Sequence, residues 1–157
     1  MENTQNPPAE IDTDAFVVRR TIRIAAPREK VWRTVTEPEL VSQWFGRITL
    51  EGTGAGAVGT IGWPGERRVP IRVETFVPTT EVSYRWCNEE GPLSETVDDE
   101  RATVFTFTLE DAPGGTQLTV VETGFGGTSD PQQMMADHRG GWDAELDKLV
   151  ALLERGA

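Results

Sequence analysis

Residues 130–155 read DPQQMMADHRGGWDAELDKLVALLER, and they form the one long segment with a helical period. Trp142, Leu146, Leu149 and Leu153 fall at i, i+4, i+7 and i+11, which is a single apolar stripe. Run backwards, the stripe reaches His138 and Met135. Asp130 before Pro131 has the chemistry of an N-cap followed by a first helical residue, and Gly156 that of a stop. A helix with one apolar face needs a sheet to lie on, and the rest of the chain supplies the pattern for one.

Working outward from that helix, residues 116–124 alternate with Leu118, Val120 and Glu122 on one face. Residues 101–110 place Thr103, Phe105, Phe107 and Leu109 together. Residues 81–87 set Val82, Tyr84 and Trp86 against Glu81, Ser83 and Arg85. Residues 67–77 alternate at Val69, Ile71 and Val73, and Pro70 among them points to an edge or a bulge. Shorter strands are expected at 47–51 and 58–63. The first strand, 16–25, turns Val18, Ile22 and Ile24 inward together with Arg20, which must lie near the strand end or be paired. Pro27 then opens a short helix over REKVWRTVT, and EPELVSQWFG forms a second, with Gly46 as its C-cap. Residues 1–14 read as a flexible polar tail, residues 15–157 as one domain, and residues 88–100 as an acidic loop. The fold class is α+β: an antiparallel sheet of about six to seven strands, two short helices after the first strand, and the long C-terminal helix packed on the sheet.

Bulk chemistry narrows the functions. The formal net charge of -11 disfavours nucleic acid and anionic membrane as partners. No apolar run approaches the roughly 20 residues of a membrane span. The N-terminus has neither the basic nor the apolar region of a signal peptide, so a cytoplasmic location is expected. One cysteine, Cys87, allows no internal disulfide, and one histidine with no paired spacing gives no metal motif, so no metal or cofactor is expected. Residues 54–59 match G-x-G-x-x-G, but a strand and a turn follow instead of a helix, so they read as a flexible hairpin.

Three stretches carry a family resemblance: TIRIAAPREKVWRTVTEPELVSQWF, GGTQLTVVETGF and GGWDAELDKLVALLE. Together they resemble the START/Bet v 1-like (SRPBCC) superfamily, and within it the family named for the activator of Hsp90 ATPase, in its bacterial single-domain form. The resemblance covers about residues 15 to 155. It implies a helix-grip fold, in which a curved sheet holds the C-terminal helix with a pocket between them. It implies no single role, since members of such a fold differ in ligand and activity.

The inward positions are mostly Val, Phe, Tyr and Trp, which suits an apolar ligand or a pocket partly filled by side chains. The expected walls are Val73, Tyr84, Trp86, Phe105, Phe107, Met135 and Trp142, with Trp44 and Phe45 near the mouth. Glu122 and His138 face each other across that space and are candidates for orienting a polar group or for general acid–base work. His138 could equally just cover the mouth. Gly140 and Gly141 cost roughly 1–2 kcal/mol of helix propensity as a pair. The family's matching Gly-Trp pair favours close packing as the compensation, with room for a ligand or a kink as the alternative. The leading expectation is a module that binds a small hydrophobic molecule. The alternatives are an enzyme of the cyclase/aromatase kind and a chaperone-regulating interaction domain, with homodimer formation as a further expectation.

Overall fold

The computed structural model describes residues 6–87 and 96–155. It contains β1 (Glu10–Asp12), β2 (Val17–Ile24), α1 (Arg28–Thr36), α2 (Pro38–Val41), β3 (Arg47–Glu51), β4 (Val58–Gly62), β5 (Val69–Val77), β6 (Glu81–Trp86), β7 (Thr103–Ala112), β8 (Gly115–Thr123), a 3-10 turn (Phe125–Gly127) and α3 (Pro131–Arg155). The strands form one antiparallel sheet in the order β1-β2-β8-β7-β6-β5-β4-β3. That is eight strands where six to seven were expected. The extra one is β1, whose three residues are too short to show a period. No helix among the described residues is long and apolar enough to cross a membrane.

α3 buries Met135, Trp142, Leu146, Leu149 and Leu153, the stripe read from the sequence. Its start is capped as expected: the Gln133 N–H donates to Asp130 Oδ1 at 3.2 Å and the Met134 N–H to the Asp130 carbonyl at 3.0 Å. The inward faces of β6, β7 and β8 also follow the alternation. Val82, Tyr84, Trp86, Phe105, Phe107, Leu109, Leu118, Val120 and Glu122 are all buried.

Four local readings are corrected. Residues 6–14 are not a free tail, because β1 pairs with β2 and Ala9 is buried. Asp143 Oδ1 accepts from the Ala9 N–H at 2.7 Å, and Arg139 Nε donates to the Ala9 carbonyl at 2.9 Å. Pro70 marks no edge, since β5 lies between β4 and β6. The ladder to β6 starts at Ile71, so the missing N–H leaves no gap there, and the bulge falls between Val73 and Thr75. α2 is only four residues long, and Gly46 is not a left-handed cap. A Cβ on Gly46 would stand 2.8 Å from Ile61 Cγ1 and 3.0 Å from the Trp63 ring, so close packing accounts for the glycine. Of the acidic loop, residues 88–95 lie outside the described residues, as does Gly156.

Arg20 is paired. Its side chain is buried between β2 and α3, where it donates to Asp147 Oδ1 at 2.9 Å and to the carbonyls of Pro7, Trp142 and Asp143 at 2.8, 3.3 and 3.1 Å. Asp143 Oδ1 stands 3.5 Å from its Nε. A charge in this position is tolerated because its N–H groups find acceptors on two segments, the N-terminal stretch and α3. Arg20 thereby ties residues 6–14 to the middle of α3.

Candidate functional site

β8 lies between β2 and β7, so its inward residues sit under α3. Glu122, opposite Val18 on one side and Phe105 on the other, has no solvent exposure. An isolated carboxylate in that position would be costly. Here both oxygens are satisfied. Oε1 accepts from His138 Nδ1 at 2.8 Å and from Trp142 Nε1 at 2.9 Å. Oε2 accepts from Trp86 Nε1 at 3.0 Å and from Thr103 Oγ1 at 2.5 Å. Burial pushes the carboxyl pKa up. The charge of His138 and the hydrogen bonds from His138, Thr103 and Trp86 outweigh it, and the net shift is downward. Glu122 therefore stays ionised at neutral pH. Since a carboxylate only accepts, Nδ1 of His138 carries a proton.

Three of those donors, Trp86, His138 and Trp142, also line an open groove of about 740 Å³. Phe45 and Trp63 complete its aromatic floor. Glu66 from the turn after β4 forms one side, and Ser129, Asp130, Gln133, Met134, Asp137, Gly141 and Glu145 form the other. Phe45 ties the floor together. Its ring centroid lies 5.5 Å from that of Trp142 in a stacked arrangement, 5.3 Å from Trp63 edge-on and 5.8 Å from Trp86.

The sequence candidates fall into three positions. Phe45, Trp86, His138 and Trp142 line the groove. Glu122 lies beneath it and holds three of its lining residues. Trp44, Val73, Tyr84, Phe105, Phe107 and Met135 are buried in the core and do not border the groove. The last set fills the space between sheet and helix: Tyr84 and Phe105 stack at 5.2 Å, Phe105 and Phe107 meet at 5.6 Å, and Trp44 and Phe107 at 6.2 Å. Two of the polar groups in this core are also satisfied, Tyr84 by the Val35 carbonyl at 2.7 Å and Trp44 by that of Thr34 at 2.9 Å. Burial pushes the Tyr84 hydroxyl pKa upward, so it stays protonated.

Trp63, Glu66, Met134, Asp137 and Glu145 escaped the sequence reading. The helical ones had a signal: 134, 138, 141 and 145 step by four, three and four, which is a second stripe beside the apolar one. The close-packing reading of the glycine pair is corrected. A Cβ on Gly140 or Gly141 would meet nothing within 4 Å, and Gly141 opens onto the groove. A wider depression of about 890 Å³ lies at the start of α1, lined by Arg28, Lys30 and Arg33 among others. It has no aromatic floor, and Arg28 is engaged by Asp111 at 3.2 Å and by the Thr79 carbonyl at 3.3 Å. The groove beside α3 is the better candidate.

This sheet-and-helix arrangement is the helix grip that the resemblance implied, and the comparisons agree. The model of the Activator of Hsp90 ATPase homolog 1-like protein family matches residues 25–154. The chain belongs to that family. Protein MLL2253 from Mesorhizobium loti is 26% identical with a TM-score of 0.74, over 90% of this chain and 98% of its own. DynU16, a protein of the dynemicin biosynthetic locus, is 27% identical with a TM-score of 0.72, over 89% of this chain and 48% of its own, so the chain spans about half of it. The Aha1 dimer from Colwellia psychrerythraea shares the fold at 18% identity and a TM-score of 0.69, over 88% of this chain and 96% of its own. No curated protein matches the chain.

Proposed function

We propose that the chain binds a small, largely apolar molecule in the groove between the first half of α3 and the turn after β4. One observation carries the reading: an open groove of about 740 Å³ is floored by four aromatic side chains, two of which, Trp86 and Trp142, are fixed from beneath by one buried carboxylate. An aromatic floor with polar groups along its rim suits a small-molecule site, and residues locked by buried hydrogen bonds lose little freedom on binding. Glu122 acts as a positioning residue. All its hydrogen bonds are spent on the protein, so it does not meet the ligand. His138 is the titratable member of the network that borders the groove, and it would meet a polar group on the ligand.

Native mass spectrometry of protein purified from its own host tests the reading. A bound mass should be found on the wild type and lost from Trp63→Ala, while both proteins stay folded. A ligand retained by Trp63→Ala would sink it.

The His138–Glu122 contact at 2.8 Å favours one second reading, a cyclase/aromatase-like enzyme in which Glu122 orients His138 as general acid or base. The two readings part in the same spectrum. A binder releases the same molecule from wild type and His138→Gln, whereas an enzyme releases unconverted substrate, of different structure, from His138→Gln. A chaperone contact rests on the family name, and a homodimer on the Aha1 dimer from Colwellia psychrerythraea, by likeness alone.

A further inference from the structure

The groove's charge is one-sided. Glu66, Asp130, Asp137 and Glu145 border it, and among the described residues no lysine or arginine does. The carboxylates stand on both sides of the aromatic floor: Glu66 on the turn after β4, the other three along α3. Their own contacts leave most of this charge uncompensated. Asp130 caps α3 through the Gln133 N–H, and Asp137 accepts from Gln133 Nε2 at 2.9 Å, both neutral donors. Glu145 lies 2.9 Å from Lys148 Nζ, one turn further along. Among the described residues, Glu66, Asp130 and Asp137 have no ion-pair partner. The imidazole of His138 is balanced by Glu122 beneath it.

An aromatic face attracts a cation through its quadrupole, most strongly for tryptophan, and the floor holds three tryptophans and a phenylalanine. Carboxylates around such a floor add attraction of the same sign and repel an anion. From floor and rim together, we infer that the groove selects an apolar or aromatic molecule carrying a protonated amine or quaternary ammonium group. The ring system would lie against Phe45, which stacks on the buried Trp142, with the ammonium near the half-buried Trp63 and between the two acidic sides. This inference rests on the groove being the binding site and names the ligand class that it takes.

Three probes of similar shape and different charge test it: 2-(2-naphthyl)ethylammonium, 2-(2-naphthyl)ethanol and 2-naphthylacetate. Each is titrated calorimetrically into the wild type, into Trp63→Ala and into the double variant Glu66→Gln/Asp137→Asn. On the wild type the ammonium should bind roughly tenfold tighter than the alcohol, the scale of a cation–π contact with screened ion pairs, and the carboxylate weaker than the alcohol. The double variant should bring the first gap below about threefold while the alcohol's affinity stays put, and raising salt from about 0.02 to 0.3 M should narrow it too. Equal affinities for the three probes, or tighter binding of the carboxylate, would overturn the charge selectivity. The groove itself would still stand if Trp63→Ala weakens the alcohol. Absence of binding by every probe would overturn both.

Discussion

Replacing Glu122 by glutamine keeps the shape of the side chain and removes its charge. The carboxylate accepts from His138 and Trp142 at one oxygen and from Trp86 and Thr103 at the other. A glutamine amide puts an NH2 where one of those oxygens was, so one indole N–H faces another donor, and the Thr103 hydroxyl or His138 Nδ1 must turn from donor to acceptor. Each stranded donor costs about 1–3 kcal/mol. Breaking a buried charged pair by removing one partner costs about 3–5 kcal/mol, so the lost charge interaction sets the larger figure. For a chain of this size, about 2–4 °C of melting temperature goes with each kcal/mol, so Glu122→Gln should melt about 6–20 °C below the wild type at pH 7. Calorimetry and urea unfolding read this directly. A double-mutant cycle with His138→Ala should show a coupling of about 1 kcal/mol or more, since the two residues share a hydrogen bond and a charge interaction. A melting temperature within about 2 °C of the wild type, or additive losses in the cycle, would refute the view that Glu122 serves the protein before any ligand.

Acid should remove the same contribution. The folded pKa of Glu122 lies below its unfolded value, so its stabilisation is full above the unfolded pKa of about 4.3 and is lost as pH falls through the folded value. The gap in urea midpoint between wild type and Glu122→Gln should hold from about pH 7 to 5 and shrink below about 4.3; a gap still constant at about pH 3 contradicts this. Arg20→Met should cost about 3–5 kcal/mol and release residues 6–14, seen as faster amide exchange at Ala9, with unchanged exchange there as the contrary result. Gly140→Ala should stabilise by roughly 1 kcal/mol, because a Cβ there meets nothing and the helix gains propensity. Gly141→Ala should stabilise as much while weakening ligand binding, since its methyl enters the groove; equal affinity for both variants would place the ligand elsewhere.

The fold was readable because periods of 2 and 3.6 residues record which face meets the core. β6, β7, β8 and α3 bury the residues that those periods selected. β1 was missed because three residues cannot establish a period, and what holds residues 6–14 is mainly hydrogen bonding to Arg20, Arg23, Arg139 and Asp143. The site was half readable. Alternation and the helical stripe brought Glu122 and His138 to the same place, as the structure has them. The same reasoning could not separate core from groove, since Phe105 and Trp86 face inward alike and only packing decides which one borders the opening. Gly141 was misjudged for a related reason: a missing side chain marks either a close neighbour or an open space, and the sequence does not distinguish them. Trp63 and Glu66 reach the groove through a turn, where no period operates.

The most direct test of the central claim is a heteronuclear NMR titration of the wild type with 2-(2-naphthyl)ethylammonium. Shifts are expected in the indole N–H signals of Trp63, Trp86 and Trp142 and in the Gly141 amide, with the amides of Val73, Leu149 and Arg28 unmoved. Shifts concentrated around Arg28 and Arg33, or none at the three indoles, would contradict it.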